Sequence, residues 1–578
     1  MRRSRIGATA AVVAATVIAA CSEQGGGEGP SPDASHGEDG QAEQAFDSDR
    51  AGPAVPVEGA VQGGTVTVLS NVELPTMDPT EAYYLDTTSI LSGLVTRSLT
   101  QYAYDPKQGA MVLVPDIATD LGTANEDFTE WSFTIRDGVK FENGAEVTAE
   151  DVAYGIKRSL DRRTFPDGPS YSNDYFLDGD TYGGVHTSGT NYSGIEVEGN
   201  TLTITMERPF PDMPYWGAFP AMGPIPERGG DPATYALHPL ATGPYKFADY
   251  TPGKSLTLVR NEHWDPETDP GRHDYPERFE FRFRVPSKQI DAVILGNTQP
   301  GQTTLTYDNV LPTDYRQAQS LNRLTLGSTN CTIMERPDYG DITDIRVRQA
   351  IGYAYPYDEL AKLDGAIPGV TILRGSSILP PEFPEREEYH VLEGRPGVTD
   401  PDKARTLLKQ AGYKTGELEL SFPYPNDQFS PAEIRKLFVE SFEAAGFTAT
   451  PVGVPDSEMF RVNSDPTAPI NLRSSGWCSD WPSGSSWFPP LFHSKGTGNF
   501  SMFAEPEIDA EIDRIGALPF EEQPAAWAAL DKTIMTDYYP AVIVGYLAAA
   551  MLHGSKIGGM NIDAIYGMPT WKDLYVDR

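Results

Sequence analysis

The sequence predicts an α/β protein built from two lobes, and three observations predict it. At 578 residues the chain exceeds the size at which one hydrophobic core keeps growing. Segments with helical apolar spacing and clear start signals alternate with short strand-like runs, which is the α/β pattern. The long apolar run near the end, Ala541 to Leu552, is too short for a membrane span and reads as a buried strand.

Composition removes several classes of function. The balance of 45 Lys+Arg against 82 Asp+Glu gives a net charge of -37, which repels nucleic acid and anionic headgroups, so no nucleic-acid partner is expected. Neither Gly-x-Ser-x-Gly nor His-Glu-x-x-His occurs, and the 8 histidines are scattered without ligand spacing. No catalytic residue, cofactor or metal is therefore assigned. Asp178-Gly179-Asp180 with Gly183 hints at a calcium loop, but Tyr182 and Gly189 stand where ligands are needed.

The start of the chain sets the compartment. Met1-Arg2-Arg3-Ser4-Arg5 is basic, Ala8 to Val17 is a run of small apolar residues, and Ile18-Ala19-Ala20-Cys21 follows. This resembles a lipoprotein signal peptide over residues 1–20, with Cys21 as the lipidated residue, so anchoring at the outer face of a bacterial cell membrane is expected. Both Sec and twin-arginine export stay open. Residues 21–62 carry Gly, Glu, Asp, Pro and Ser with Phe46 alone as an aromatic, and read as a flexible tether.

The folded body then proceeds in order. Gly64 to Leu69 alternates as a strand, and Asp86-Thr87-Thr88 is read as the cap of a helix through Leu91, Leu94 and Val95. Trp131 to Phe141 is a strand running into a turn at Asp137-Gly138, and Thr148-Ala149-Glu150-Asp151 caps a helix burying Val152, Ile156 and Leu160. Arg162 to Ser193 reads as loop, and a hairpin crosses Glu198-Gly199-Asn200. Strands follow around Tyr245 to Phe247 and Leu256 to Arg260. Asp344 caps a helix that Pro356 ends, and Asp400-Pro401 opens another. Ser430-Pro431-Ala432-Glu433 reads as a capping box; strands at Glu417 to Phe422 and Thr448 to Val454 follow the last two helices.

One stretch carries chemistry, Gly476-Trp477-Cys478-Ser479-Asp480-Trp481-Pro482 and onward to Phe492. Its Trp, Pro, Gly and Ser content predicts an aromatic-walled loop, not a helix. A carboxylate between two indoles is poorly hydrated and calls for a cation, either an internal Arg or Lys or the ammonium of a ligand.

This stretch resembles the Trp-Cys-x-Asp-Tyr-x-x-Pro element of the solute-binding proteins of family 5, which serve bacterial ATP-binding-cassette peptide importers. Asp116 to Asp161, Thr242-Gly243-Pro244-Tyr245, Asn261 with Trp264, Arg346-Val347-Arg348-Gln349-Ala350 and the Leu407-Leu408 helix ending at Ala411-Gly412-Tyr413 resemble the same family. The resemblance implies a class II periplasmic-binding-protein-like fold of the three-domain, cluster C type: two α/β lobes with a hinge, plus an inserted domain. Lobe I would hold 63–105, 227–330 and 546–578, the insert 106–226, and lobe II 331–545. It implies a non-enzymatic protein, expected as a monomer, that captures short peptides in an interlobe cleft and delivers them to permease subunits.

By the same resemblance Asp480 would hold the ligand's amino terminus, with Gly476 and Cys478 in the ligand-binding stretch. Trp477, Trp481 and Tyr546 would wall side-chain pockets, and Ser70 and Asn71 would lie at a strand's carboxyl end facing the cleft. Cys331 and Cys478 would form a disulfide. Trp481 replaces the family's Tyr, and Ser474 stands where an Arg often meets a ligand carboxylate, with Arg473 one step away. The family also includes binders of oligosaccharides, nickel complexes and haem, so these ligands stay open, as does a signalling role. A secreted hydrolase is the competing class.

Overall fold

The structure, a computed structural model, describes residues 46–381, 383, 386–427 and 430–578. Cys21, the signal peptide and the first part of the expected tether lie outside the described residues. The chain forms two compact units: one holds the described residues up to Gly327 together with Ala550–Arg578, the other Ser328–Ala549. It leaves the first unit within strand Leu324–Pro337 and returns within strand Val542–His553.

In the first unit, strand Thr65–Leu69 lies parallel to both Arg278–Arg282 and Thr304–Asn309. Strands Ser255–Arg260 and Tyr245–Thr251 extend the sheet in antiparallel fashion. Alternation explains the central strand, since Val66 and Val68 are fully buried while Thr65 and Thr67 are half-exposed. A separate four-stranded sheet is built on Glu130–Thr134 and the hairpin Ile195–Glu198 with Thr201–Thr205. Helix Ala149–Ser159 begins as its sequence requires: Thr148 accepts from the Asp151 amide while the Asp151 carboxylate takes the Thr148 N–H at 3.0 Å.

A buried ionic cluster ties this unit together. Arg272 reaches Asp116 at 2.9 Å and Asp269 at 3.1 Å, and Arg97 reaches Asp116 at 2.7 Å. All four residues are buried, so each charge depends on the others for what water would otherwise supply.

Three local expectations differ from the structure. The segment read as tether is bound from Phe46 onward: Asp47 N–H donates to Leu113 O, Arg50 pairs with Asp105, and Val57 N–H donates to the Tyr275 hydroxyl. Its main-chain groups find partners along the unit, which composition does not register. Arg162 to Ser193 includes short helices Tyr171–Tyr175 and Val185–Ser188, too brief to show periodicity. The helix beginning Leu85–Ile90 is preceded by Tyr84, not capped by Asp86, whose carboxylate instead accepts from the next amide, Thr87 N–H, at 2.7 Å.

In the second unit, strand Leu472–Cys478 runs antiparallel to Leu324–Pro337, and Ile372–Leu373 pairs with Val542–His553. Strands Glu419–Pro425 and Thr448–Val454 are parallel, with helix Pro431–Ala444 between them in sequence. Ser430 precedes that helix but makes no capping box: at φ 55° it is left-handed, and its side chain accepts no cap hydrogen bond. Asp344 does cap helix Ile345–Ala354, accepting from Arg346 N–H, and Asp400 caps Pro401–Gln410 through Lys403 N–H.

Candidate functional site

The Trp-rich stretch is part strand and part helix, where a loop alone was expected. Trp477 belongs to strand Leu472–Cys478, whose register against the other strand pairs Cys478 with Cys331, Trp477 with Thr332, Gly476 with Ile333 and Ser474 with Glu335. Ser479 extends the ladder, donating its N–H to Asn330 O at 3.0 Å. Helix Phe488–Phe492 follows, because Pro489 and Pro490 fall in the first turn, where no amide is needed.

Burial alternates along this segment. Arg473, Ser475, Trp477, Ser479 and Trp481 are buried, while Ser474, Gly476, Cys478 and Asp480 are half-buried. A strand period of two therefore puts Ser474, Gly476, Cys478 and Asp480 on one face. The opposite face is core. Trp477 donates its indole N–H to Ser486 O at 2.8 Å, and Trp481 donates to the Ser485 hydroxyl at 3.0 Å. Both indoles thus support the strand from beneath, not as exposed walls.

The turn after Asp480 is held by hydroxyls that motif reading passed over. Ser479 Oγ donates to Trp481 O and lies 2.8 Å from Ser486 Oγ, while Ser486 Oγ also donates to Trp481 O at 3.0 Å. Ser483 N–H closes back on Trp481 O at 2.7 Å. Gly484 is required here: an added Cβ would lie 2.3 Å from Cγ of Trp527, which stacks on Phe488 with centroids 5.3 Å apart. The legible signal was the density of serines among the tryptophans.

Cys331 and Cys478 are bonded in the structure across adjacent strands. With a sequence separation of 147, the bridge contributes about 5 kcal/mol by loop-closure entropy. We expect Cys331→Ser/Cys478→Ser to lower the denaturant midpoint of this unit accordingly; an unchanged midpoint would count against it.

Arg473 does not stand in for an arginine at Ser474. It lies on the core face, donating to the carbonyls of Asn463 at 3.1 Å and Asp465 at 2.8 Å. Tyr546 is also committed: its buried hydroxyl donates to Ser377 O at 3.0 Å and receives Ser376 N–H, Ser377 N–H and Arg386.

Ser70 and Asn71 sit in the first unit, immediately after strand Thr65–Leu69, where open α/β sheets tend to place ligands. Asp308 gathers both, accepting Ser70 Oγ–H at 3.0 Å and Asn71 N–H at 2.7 Å, while Asn71 Nδ2 donates to Ser287 at 2.9 Å. Ser70 is fully buried and Asn71 half-buried, so Asn71 is the more accessible.

Burial raises Asp308 to about 6 against hydrogen bonds with Asn71, Ser70 and Thr306 that lower it, and raises Asp86 to about 6. Asp291 rises to about 7, chiefly by burial, with Asp314 and Asp308 adding repulsion. An unfolded aspartate ionises near 3.9. These carboxyls hold protons that the unfolded chain has already released, so this unit loses stability as pH rises from about 4 to about 7. Each carboxyl raised in this way contributes roughly 3–4 kcal/mol to the loss. Denaturant midpoints at pH 5 and pH 8 check this, and Asp308→Asn should flatten the difference.

Among the described residues no group of three or more His, Cys, Asp or Glu could hold a metal ion, and no helix is long and apolar enough to cross a membrane.

A model of the bacterial extracellular solute-binding proteins, family 5 middle region, matches residues 112–499. The periplasmic oligopeptide-binding protein OppA of Salmonella typhimurium is 21% identical over 480 residues, which are 78% of this chain and 83% of that protein. The glutathione-binding protein GsiB of the same organism is 23% identical over 482 residues, again 78% and 83%. Among solved structures, the clavulanic acid biosynthesis oligopeptide binding protein 2 superposes with a TM-score of 0.81 at 22% identity, covering 92% of this chain and 99% of that one.

Proposed function

The chain belongs to the bacterial extracellular solute-binding proteins of family 5 and has their α/β, class II periplasmic-binding-protein fold, and from that premise we propose that its solute is a short peptide. Members are substrate-binding components of ATP-binding-cassette systems, act outside the cytoplasm and are not enzymes. Asp480 holds the ligand's amino terminus, and Gly476 and Cys478 lie beside the ligand main chain. The ligand passes to permease subunits, and lipid on Cys21 keeps the monomeric protein at the membrane surface.

The observation that carries this reading is the half-buried face Ser474, Gly476, Cys478 and Asp480, which ends in a carboxylate on a turn fixed by buried serines. An ammonium entering a partly desolvated site needs a fixed anion, and a charge-assisted hydrogen bond of this kind contributes about 1.5–3 kcal/mol. Strand Leu472–Cys478 stands at the end of its sheet, and a sheet edge offers main-chain pairing that is indifferent to side chains.

The test is mass spectrometry of small molecules released by denaturing protein expressed from Ser22 in an oxidising compartment. Short peptides of mixed sequence are expected. A single sugar, haem or metal chelate would contradict the peptide reading.

A further inference from the structure

A second carboxyl occupies the same face, at the end away from Asp480. Glu335 is the cross-strand partner of Ser474 and is 6% exposed, while Ser474 is half-buried and carries only a short side chain. Directly paired residues of antiparallel strands share a face, so Glu335 lies on the side that carries Gly476, Cys478 and Asp480. From Ser474 to Cys478 the strand runs four steps, about 14 Å at 3.4 Å each, and Asp480 lies two residues beyond, so a ligand that reaches both ends of this face is several residues long.

Glu335 has no cation of its own. The Tyr355 hydroxyl lies 3.2 Å from Oε1 and Ser474 adds a second hydroxyl contact, but no Arg, Lys or His within 4 Å pairs with it among the described residues. Both neighbouring arginines are turned to the core face. Arg336 donates to Leu491 O at 2.8 Å and to the Ser501 hydroxyl, and Arg473 to carbonyls. The ionisable groups that face Glu335 from the following segment are Tyr355 and Tyr357, both weak acids that stay neutral. A buried carboxyl bonded only to hydroxyls is costly to ionise, and Glu335 is pushed up to about 8, by burial first and against the Tyr355 and Ser474 hydrogen bonds.

We infer that Glu335, reached past Ser474, is a specificity-determining residue that selects peptides carrying a basic side chain several residues from their amino terminus. The inference rests on the peptide reading above. A ligand ammonium or guanidinium supplies the charge that Glu335 lacks. Its arrival drives the carboxyl to ionise, and the proton leaves to solvent. A ligand carboxylate brings no charge that Glu335 lacks and is itself poorly hydrated there, so acidic residues gain nothing over alanine.

The experiment is isothermal titration of the full protein with pentaalanine and with pentapeptides bearing one lysine or one glutamate at positions three to five, in buffers of different ionisation heat. At one position lysine should strengthen binding at least tenfold over alanine, with release of close to one proton at pH 7. Glu335→Gln should erase that gain and the proton release, yet leave pentaalanine affinity unchanged. Equal affinities for lysine, alanine and glutamate at every position would overturn the inference while leaving the peptide reading intact, as would a lysine gain that survives in Glu335→Gln. If no pentapeptide binds at all, the peptide reading fails and the inference with it.

Discussion

Asp480→Ala should weaken peptide binding by two orders of magnitude or more in protein that still folds, as its circular dichroism would show. Removing one partner of a desolvated charge pair costs about 2–5 kcal/mol, because the ligand ammonium then enters the site without an anion. Asp480 is half-buried on the turn after strand Leu472–Cys478, and the Ser479, Ser483 and Ser486 hydrogen bonds that shape this turn run to main-chain oxygens and to one another. Asp480→Asn is the sharper control, since it preserves shape and one acceptor oxygen but not charge, and should recover little of the affinity. Full affinity in either variant would sink the anchor role.

A large effect on stability is expected at Arg272. Its guanidinium donates to Asp116 at 2.9 Å, to Asp269 at 3.1 Å and to Ser92 O at 2.9 Å. Although burial opposes it, Arg272 and Arg97 beside Asp269 hold that carboxyl well below the usual carboxylate range. Arg272→Met leaves buried carboxylates with one guanidinium in place of two. Breaking a buried pair in this way costs about 3–5 kcal/mol. Thermal unfolding of the first unit should shift down accordingly, while Arg272→Lys, which keeps charge but loses the forked geometry, should fall between. A midpoint within error of the parent would show that the cluster contributes no net stability.

Local signals in the sequence carried much of the fold, and long-range pairing did not. Thr148 with Asp151, Asp344 and Asp400 read correctly as caps, because each bond closes within three residues. Ser430 has the same pattern without the bond, since its left-handed backbone carries the hydroxyl away from the helix amides. The Trp-rich stretch has the composition of a loop, yet its first part is a strand because the partner Leu324–Pro337 supplies the ladder.

The same limit governs the site. Asp480, Cys331 and Cys478 stood out through a motif, whereas Glu335 reads as one acidic residue in the run Cys331-Thr332-Ile333-Met334-Glu335. Only cross-strand register puts it beside Ser474. Register also separates Ser474 from Arg473, which are neighbours in sequence but lie on opposite faces, one half-buried and the other fully buried against carbonyls.

The central claim is that the protein recognises a free peptide amino terminus through Asp480, and one calorimetric comparison tests it most directly. The parent protein is titrated with a pentapeptide it binds and with the same peptide acetylated at its amino terminus. Acetylation removes the positive charge and changes nothing else along the chain, so binding should weaken at least a hundredfold, or about 2.7 kcal/mol. Equal affinity for the two peptides would contradict the account.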